Sequence, residues 1–456
     1  MRASRRQFLK TCSLMSIAGA ASPFAVNLAA IGAASAQTLP GYKAIVCLFF
    51  YGGNDHTNTF IPYDPASHGE YSASRASIAI PRDAALAATA TGPVASQGGR
   101  EFAFHPALTA FKSHWDAGRL AVVANVGPLV VPTTKAQYQN RSVPLPPNLF
   151  SHNDQQSVWQ AYRPIGEGAR IGWGGRIGDL LASQNANTLF TCISAGGNSV
   201  FLSGTNVLQY QVGSSGPSSI SSISGTIYGS QGTAASSAYR SLITGTSPNL
   251  FENELRVVTN RSITANQQLS AALPPSFPGI PANNGLASQL NVIARIIATR
   301  TTLQSNRQVF LVSIGGFDNH DFLLTQHAQQ LAQVNAAVDA FYTWLVQMGV
   351  QNDVTLFTAS DFGRTLTSNG DGSDHGWGSH HFVLGGSVVG RDVYGTFSPT
   401  VFGSSVDIGQ GNLLPGVAVD QYAATFARWL GVSDTDMPLV LPNSVNFNPR
   451  YASFLP

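Results

Sequence analysis

Residues 44–51 read Ala-Ile-Val-Cys-Leu-Phe-Phe-Tyr, a continuous apolar run that ends at Gly52 and Gly53. An apolar run of this length, without alternation, is typical of a strand that is buried on both faces of a parallel sheet. The run leads into residues 52–59, Gly-Gly-Asn-Asp-His-Thr-Asn-Thr, which are polar. The segment therefore predicts a central strand of an α/β fold, with a polar loop at its carboxyl end.

Further strands and helices alternate along the chain. Other apolar stretches of strand length are residues 120–126, 188–193, 308–314, 354–358 and 381–384. Apolar residues recur at three- and four-residue steps from Leu331 to Met348, which predicts a helix that Gly349 ends. Residues 286–300 are helix-prone, and a last helix is predicted from an Asp420 cap to Gly431. Alternation of this kind predicts an α/β fold with a largely parallel sheet.

The N-terminal segment has the features of a twin-arginine signal peptide. Residues 4–10, Ser-Arg-Arg-Gln-Phe-Leu-Lys, precede a modestly apolar stretch from residue 12 to about residue 31, and residues 34–36 read Ala-Ser-Ala. We therefore expect a signal at residues 1–36, export through the twin-arginine translocase, and a periplasmic or secreted protein. The alternative is an uncleaved amphipathic anchor. Because this route exports folded proteins, often after a cofactor has been inserted, it favours a prosthetic group.

Composition limits the classes of function. Only 11% of the residues are charged and the net charge is +2, so the sequence gives no sign of a nucleic-acid partner. No later stretch has the length and apolarity of a membrane span, and we expect no stable membrane insertion. Residues 37–456 are predicted to form one domain, in which about 200–285 is an insertion or cap region. Residues 201–239 are rich in Ser and Gly and contain no charge, so a polar β excursion is the alternative. Cys47 and Cys192 are either buried thiols or a disulfide.

Four polar loops follow predicted strands, and three of them combine Asp with His. They are residues 52–59, 315–320 (Gly-Gly-Phe-Asp-Asn-His), 360–365 (Ser-Asp-Phe-Gly-Arg-Thr) and 371–381 (Asp-Gly-Ser-Asp-His-Gly-Trp-Gly-Ser-His-His). Loops at the carboxyl ends of parallel strands meet at one edge of a sheet. Carboxylate oxygen and imidazole nitrogen are ligands for Zn²⁺ or Mn²⁺. Each motif alone is more often a turn or a structural hydrogen bond, but the four together predict a site.

A series of motifs, taken in order, resembles one family of exported bacterial proteins. It comprises Gly-Gly-Asn-Asp at 52–55, Phe-Ala-Phe-His-Pro-Ala-Leu at 102–108, Ser-His at 151–152, and the loops at 315–320, 360–365 and 374–378. These motifs are similar to the domain-of-unknown-function 1501 family over nearly the whole mature chain. That family is distantly similar to the alkaline phosphatase and sulfatase superfamily. The resemblance implies an alkaline-phosphatase-like three-layer sandwich around a largely parallel mixed sheet, with a two-metal hydrolytic centre.

The resemblance also implies a set of metal ligands. In this sequence they are Asp55, Asp318, His320, Asp361 and His375, and the ion is a divalent metal, with Zn²⁺ favoured and Mn²⁺, Mg²⁺ or Ca²⁺ as alternatives. Phe362 stands where the superfamily usually has a histidine ligand, and a phenyl ring cannot coordinate. Either His380 or His381 replaces it, or only one of the two ions binds, or the centre has been lost.

The resemblance leaves the nucleophile open. Ser151 fits because it precedes a helical stretch, although it is equally suited to be an N-cap with Asp154 in the capping-box position. Thr57 and Thr59 are its rivals. The sequence has no Cys-x-Pro-x-Arg signature, which argues against a formylglycine sulfatase. Arg364 could clamp an anionic oxygen or hold its loop through a buried ion pair.

We therefore expect an exported metal-dependent hydrolase of phosphate or sulfate esters, acting on a small-molecule or polymer substrate. The alternative is a binding or assembly protein of the cell envelope that keeps the fold without the chemistry.

Overall fold

The computed structural model describes residues 39–161, 168–224 and 232–456; the predicted signal peptide lies outside the described residues. In chain order the strands of the described residues are β1 (Lys43–Phe50), β2 (Phe60–Pro62), β3 (Ala90–Val94), β4 (Arg100–Phe104), β5 (Leu120–Gly127), β6 (Cys192–Ser194), β7 (Tyr210–Gln211), β8 (Arg307–Ile314), β9 (Val354–Ser360), β10 (Arg364–Ser368), β11 (Ser373–His375), β12 (Ser379–Leu384), β13 (Val393–Tyr394) and β14 (Val417–Ala418).

Nine of these strands form one sheet. Their order is β13-β5-β12-β9-β1-β8-β6-β7, with β14 beside β5, so β1 occupies the middle as its apolar sequence predicts. Strand β12 pairs antiparallel with both of its neighbours, whereas the other pairs are parallel. Strands β2, β3 and β4 form a small separate sheet, and β10 pairs with β11.

The helices in the described residues cover both faces of the sheet. They are α1 (His56–Thr59), α2 (Pro65–Arg75), α3 (Ala84–Ala87), α4 (Thr109–Asp116), α5 (Lys135–Asn140), α6 (His152–Ala161), α7 (Trp173–Leu181), α8 (Ser221–Ser224), α9 (Gly232–Thr244), α10 (Leu250–Ala272), α11 (Gly285–Ala298), α12 (Leu323–Gln347), α13 (Val419–Leu430) and α14 (Met437–Val440).

Strand β1 shows how the three layers are held together. Because successive side chains point to opposite faces, Val46 and Leu48 enter one apolar core while Cys47 and Phe49 enter the other. The first core includes apolar residues of α11 and α12, and the second includes residues of α7 and α13. Each large apolar side chain that is buried in this way stabilises the fold by roughly 1.5–3 kcal/mol. Because both faces of β1 are buried, its sequence is apolar at every position.

The predicted α/β fold is confirmed: a mixed, largely parallel sheet lies between two helical layers. The helix predicted from Leu331 is α12, which begins eight residues earlier, at Leu323. Only Cys192–Ser194 is a strand at the end of the predicted 188–193 segment, because Thr188–Phe190 forms a 3₁₀ turn. Asp420 lies inside the first turn of α13 and does not cap it.

Two open alternatives are also decided by the structure. The described part of the region at about 200–285 contains the helices α8, α9 and α10 and the two-residue strand β7, so helices rather than strands make up most of its regular structure. Cys47 and Cys192 are buried free thiols, so no disulfide joins them. None of the helices in the described ranges combines the length and the apolarity that crossing a membrane requires.

The registers of the parallel strands bring three loops to one edge. Phe50 at the end of β1 lies opposite Ile314 at the end of β8 and opposite Ser360 at the end of β9. The chain segments after β1, β8 and β9 therefore leave the sheet side by side. They are the segments that contain Asp55, Asp318 and Asp361.

Candidate metal centre

Three side chains from separate parts of the chain meet at this edge of the sheet. His152 begins α6, Asp318 follows β8, and His375 ends β11; one ligand atom from each lies within 4.8 Å of the other two. His152 Nε2 is 3.5 Å from Asp318 Oδ2, and His375 Nε2 is 3.4 Å from Asp318 Oδ1. Asp318 is thus the centre of the group, which we call the His152–Asp318–His375 cluster.

Each histidine of the cluster is oriented through its other ring nitrogen. His375 Nδ1 lies 2.7 Å from the backbone oxygen of Phe150, and a carbonyl can only accept, so Nδ1 holds the proton. His152 Nδ1 lies 2.7 Å from Asp361 Oδ2 and donates to that carboxylate. The neutral form of each ring therefore presents the lone pair of Nε2 to Asp318. Fixing the outer nitrogen in this way is typical of metal-binding histidines.

The pKa values of the two histidines move in opposite directions. The hydrogen bond to Asp361 raises the pKa of His152 above its ordinary value, against the opposing effect of burial. Burial lowers the pKa of His375, and the nearby His152 and Arg364 add to this effect. His375 therefore stays neutral down to a lower pH than His152 does.

Asp361 lies beside the cluster and holds one of its members in place. Its Oδ2 accepts hydrogen bonds from Gly52 N at 3.2 Å, from Gln156 Nε2 at 2.8 Å and from His152. The residue is fully buried, and its Oδ1 has no partner within the described residues. The resemblance implies a direct ligand at this position, whereas in the structure Asp361 contacts His152.

Arg364 lies beneath the cluster with its guanidinium fully buried. It donates to Asp318 Oδ1, to the backbone oxygens of Gly52 and Gly53, and to Ser373 O. Burial opposes ionisation of Asp318, but the bond from Arg364 and the charges around it hold its pKa below the ordinary value. Of the two roles predicted for Arg364, the geometry therefore favours the ion pair that holds the loops, since a buried guanidinium cannot clamp a substrate.

The Phe362 ring packs against the rings of both histidines of the cluster. Its ring centroid lies 4.8 Å from that of His152 and 4.6 Å from that of His375. A Cβ atom at Gly53, where φ is +82°, would overlap the Phe362 ring, so glycine is required there for both conformation and space. Phe362 thus packs against the rings of two histidines. It occupies the position at which the resemblance to the alkaline phosphatase and sulfatase superfamily implies a histidine ligand.

His320 lies at the outer side of the cluster. Its Nε2 is 3.0 Å from Asp318 Oδ1 and 3.0 Å from His375 Nε2, and its Nδ1 is 3.3 Å from Asp374 Oδ1. The side chain is 40% exposed. The structure therefore places His320 where it could add a fourth ligand, and a third nitrogen, to the same centre.

Asp55 is directed away from the cluster and into a buried ion pair. Its Oδ2 accepts a hydrogen bond from Arg75, and both side chains are fully buried. Arg75 also donates to the backbone oxygen of Thr365 at 2.7 Å. The guanidinium supplies the positive charge that the resemblance assigns to a metal ion, so the structure does not bring Asp55 to the candidate centre.

The two histidines proposed to replace a ligand at position 362 lie inside the protein. His380 accepts a hydrogen bond from Asn125 N at 2.9 Å and packs on Phe397, and His381 packs between Trp159 and Tyr422. Burial lowers the pKa of each to about 3. Both are neutral core histidines in this structure, and neither belongs to the His152–Asp318–His375 cluster. His152 takes the place that the sequence interpretation gave to them.

Only one of the three candidate nucleophiles lies beside the cluster. Ser151 immediately precedes His152, and its Oγ donates to Asp154 Oδ2 at 2.8 Å. Its carbonyl also accepts the first hydrogen bond of α6, from Gln155 N, which is the position of an N-cap. Thr57 and Thr59 are fully enclosed, and the Thr59 hydroxyl donates to Asp55 O at 2.7 Å, so neither hydroxyl can meet a substrate.

The cluster fits a tetrahedral ion. Ligands at about 2.0–2.1 Å from Zn²⁺ in a tetrahedron are separated from one another by about 3.3 Å. The distances from His152 Nε2 to Asp318 Oδ2 and from His375 Nε2 to Asp318 Oδ1, 3.5 and 3.4 Å, are close to this value, and one ligand atom of each residue lies within 4.8 Å of the other two. Three ligands of mixed nitrogen and oxygen type, open to solvent on one side, are characteristic of a catalytic site.

His152 and Phe150 are the residues of the candidate site that the sequence alone does not single out. His152 was present in the motif Ser-His at 151–152, but only its serine was considered. A histidine next to a helix start, in a chain with several strand-end carboxylates, was the available signal. Phe150 gave no signal, because it contributes its backbone oxygen.

Comparison with known proteins identifies one family. Residues 250–437 match the model of a family described as a protein of unknown function (DUF1501), which confirms the predicted resemblance over those residues. No curated protein matches the chain in sequence.

Several solved structures follow a similar chain path at low identity. The lipoteichoic acid synthase LtaP from Listeria monocytogenes is 8% identical over 93% of this chain and 81% of that chain, with a TM-score of 0.36. The PsFucS1 sulfatase from Pseudoalteromonas sp. is 11% identical over 88% and 74%, with a TM-score of 0.32. The alkaline phosphatase from the Antarctic bacterium TAB5 is 7% identical over 81% and 98%, with a TM-score of 0.28. At these TM-scores the similarities say nothing about the chemistry of this chain.

Proposed function

We propose that the chain is a metal-dependent hydrolase of phosphate or sulfate esters, with one divalent ion at the His152–Asp318–His375 cluster. One observation supports this most directly. Two imidazoles, each hydrogen-bonded through Nδ1, direct Nε2 towards the ionised carboxylate of Asp318, at the edge of the sheet where the parallel strands end. A single ion is favoured over two because Asp55 is already neutralised by Arg75. Zn²⁺ is the favoured ion, because nitrogen and carboxylate ligands at these separations suit it.

The residues of the chain have separate tasks in this proposal. His152, Asp318 and His375 hold the ion, while Asp361 and Phe150 fix the two imidazoles. A divalent ion at this position supplies a Lewis acid for the oxygens of the ester. The ion pair with Arg364 keeps Asp318 ionised, and the Arg364 side chain is fully buried, so it does not contact the substrate.

Ser151 is the proposed attacking group. Its hydroxyl oxygen bonds to phosphorus or sulfur, the bond from that atom to the ester oxygen breaks, and the alcohol leaves. Asp154, which accepts the Ser151 hydrogen bond, takes the hydroxyl proton and returns it to the leaving oxygen. Water then cleaves the ester formed on Ser151, so the overall reaction consumes one water and yields one alcohol and one phosphate or sulfate.

Metal content is the first test. Protein purified without a chelator is expected to contain one divalent ion per chain by elemental analysis, and His375→Ala and Asp318→Ala to lose it. His68→Ala is the matched control, because His68 is a buried histidine that bonds to Ile80 O away from the cluster. A folded wild-type protein that binds no Zn²⁺ in titration calorimetry would refute the proposal.

Hydrolysis is tested separately on a panel of phosphate and sulfate monoesters. Ser151→Ala is expected to keep the ion and to lose at least a hundredfold in kcat, roughly the scale of losing an activated nucleophile. If the wild type binds the ion and cleaves none of the esters, the non-catalytic envelope protein becomes the better interpretation. The hydroxyls at 57, 59 and 151 that are tied to protein groups are the observation in its favour.

We also propose that the protein acts in the periplasm or outside the cell, after export through the twin-arginine translocase. The support is the pair Arg5 and Arg6 before a modest apolar stretch. Replacement of both by lysine is expected to leave the full-length precursor in the cytoplasm in cell fractionation. Export of this variant at the wild-type level would contradict the proposal.

A further inference from the structure

A pocket of about 650 Å³ has Phe150, a contact of His375, in its lining and is not used in the chemistry described above. It is formed within residues 138–150, the segment that leads into His152. Phe150 lines the pocket, and the backbone oxygen of the same residue orients His375. The pocket and the centre therefore share a wall.

The apolar wall of the pocket is continuous with the packing behind the centre. Leu145, Leu149 and Phe150 pack against a cluster that includes Trp377, two residues beyond His375. The ring of Tyr138 lies 5.6 Å from that of Trp377. Because the residues that line the pocket pack on Trp377, the position of the pocket is coupled to that of the segment that contains His375.

The backbone of this segment has a positive φ at three places. Arg141, Asn148 and Phe150 have φ values of 50°, 43° and 74°. Arg141 is the left-handed C-cap of α5, a common helix end, and asparagine tolerates this region, so Phe150 is the residue whose conformation is unusual. Strained residues of this kind are concentrated at ligand-binding segments of proteins. The conformation of Phe150 directs its carbonyl oxygen to His375 Nδ1.

The one charged side chain among the residues that line the pocket is positive. Arg141 is exposed and lines the pocket beside Gln139 and Asn148, and no carboxylate lines it. Within the described parts of the chain, no Asp or Glu forms an ion pair with Arg141. An unpaired guanidinium beside apolar walls suits an organic group that bears an acid.

We propose that this pocket binds the alcohol half of the substrate, and that this half is a bulky organic group with its own negative charge, contacted by Arg141. The proposal rests on the proposed hydrolase, because it places the scissile ester at the cluster and the rest of the molecule in the pocket. A volume of this size accommodates a ligand of one to a few rings. It predicts a preference for esters whose alcohol is itself acidic over small neutral ones.

Binding of a product-like alcohol tests the pocket without any need for turnover. The probe is 2-naphthol-6,8-disulfonate and the neutral comparator is 2-naphthol, both titrated calorimetrically into the full-length zinc-loaded protein. The wild type is expected to bind the disulfonate more tightly, and Arg141→Gln to weaken its binding about tenfold or more, as loss of a charge-assisted hydrogen bond does. Binding of 2-naphthol should change by less than twofold.

Arg391→Gln is the matched control, because Arg391 is also an exposed arginine with positive φ, at 59°, and does not line the pocket. It is expected to bind both probes as the wild type does. Equal binding of the disulfonate by wild type and Arg141→Gln, or no preference of the wild type for the charged probe, would overturn the proposal. Leu149→Ala, which removes part of the apolar lining, should weaken the binding of both probes.

Kinetics with the corresponding phosphate esters then separates this inference from the proposed hydrolase. Arg141→Gln is expected to raise KM about tenfold for the disulfonated 2-naphthyl phosphate with a much smaller effect on kcat, whereas KM for 2-naphthyl phosphate should change by less than twofold. If no ester is cleaved while Arg141 still controls disulfonate binding, the hydrolase is refuted and the anion pocket remains. If esters are cleaved with no effect of Arg141, the pocket assignment alone is refuted.

Discussion

The buried pair of Asp55 and Arg75 gives the sharpest test of the structure against the family resemblance. If Asp55 were a metal ligand, Asp55→Asn would lose the ion. The structure instead predicts that Asp55→Asn keeps the ion at the His152–Asp318–His375 cluster and loses stability, because Arg75 becomes a buried charge without a counter-charge.

The size of the effect follows from the surroundings of the pair. Breaking a fully buried ion pair by removing one partner costs about 3–5 kcal/mol. Arg75 would keep its hydrogen bond to Thr365 O, and an asparagine at 55 could still accept one bond, so the lower end, about 3 kcal/mol, is expected. That loss corresponds to a factor of about 150 in the ratio of folded to unfolded protein.

Urea unfolding followed by tryptophan fluorescence measures the free energy of unfolding, and elemental analysis of the folded protein measures the ion. Asp116→Asn is the matched control: Asp116 pairs with Lys112 on the surface and is 52% exposed, so a change below about 1 kcal/mol is expected. The double variant Asp55→Leu with Arg75→Met removes both charges and should recover much of the stability. A stable Asp55→Asn protein that has lost its ion would refute this reasoning.

Three further predictions follow from the same contacts. Asp361→Asn is expected to lower Zn²⁺ affinity about 10–100-fold in calorimetry, as loss of an orienting partner does, whereas complete loss would mark Asp361 as a direct ligand. Phe362→His should not bring a second ion by elemental analysis, because Asp55 stays paired with Arg75; two ions per chain would contradict this. Burial lowers the pKa of His380 from an ordinary 6.5 to about 3. Between these two pH values the native state therefore binds fewer protons than the unfolded state. The free energy of unfolding consequently falls as the pH is lowered from 6.5 towards 3. In urea unfolding between pH 6 and 4, His380→Gln should reduce this fall by about 1.4 kcal/mol per pH unit, and an unchanged slope would show that His380 is not neutral in the native protein.

The sheet could be predicted from the sequence because its inner strands are apolar on both faces. Residues 44–51, 308–314 and 354–358 correspond to β1, β8 and β9 within one or two residues. The direction of β12 could not be predicted, because antiparallel pairing with β5 and β9 depends on partners far along the chain. The order of the strands was beyond reach for the same reason.

The helices between 221 and 272 show where periodicity fails as a signal. Helix α10 buries only Ile263, Ala265 and Leu269, all in its second half, while Leu250 and Phe251 near its start are about four-fifths exposed, at 78% and 83%. Without a continuous buried face there is no apolar stripe for the sequence to reveal. The Ser- and Gly-rich composition before it pointed towards loops.

The site was predictable in part. Asp318 and His375 follow from strand-end loops, which the topology brings to one edge. The contact between His152 and Asp361 could not be inferred, because it joins the start of a helix to the end of a strand 209 positions away. The pairing of Asp55 with Arg75 was equally hidden, since Arg75 ends a helix without any motif.

The distribution of the three proposed ligands along the chain has a consequence for folding order. No fragment shorter than residues 152–375 contains His152, Asp318 and His375 together, and each arrives on a different element of the central sheet or beside it. A nascent or partly folded chain therefore has no preformed cluster, and the proposed ion would be bound with high affinity only after these distant segments have come together. In the proposed metalloprotein, retention of the ion would then report, in a single measurement, that the strand-end edge of the sheet has been assembled.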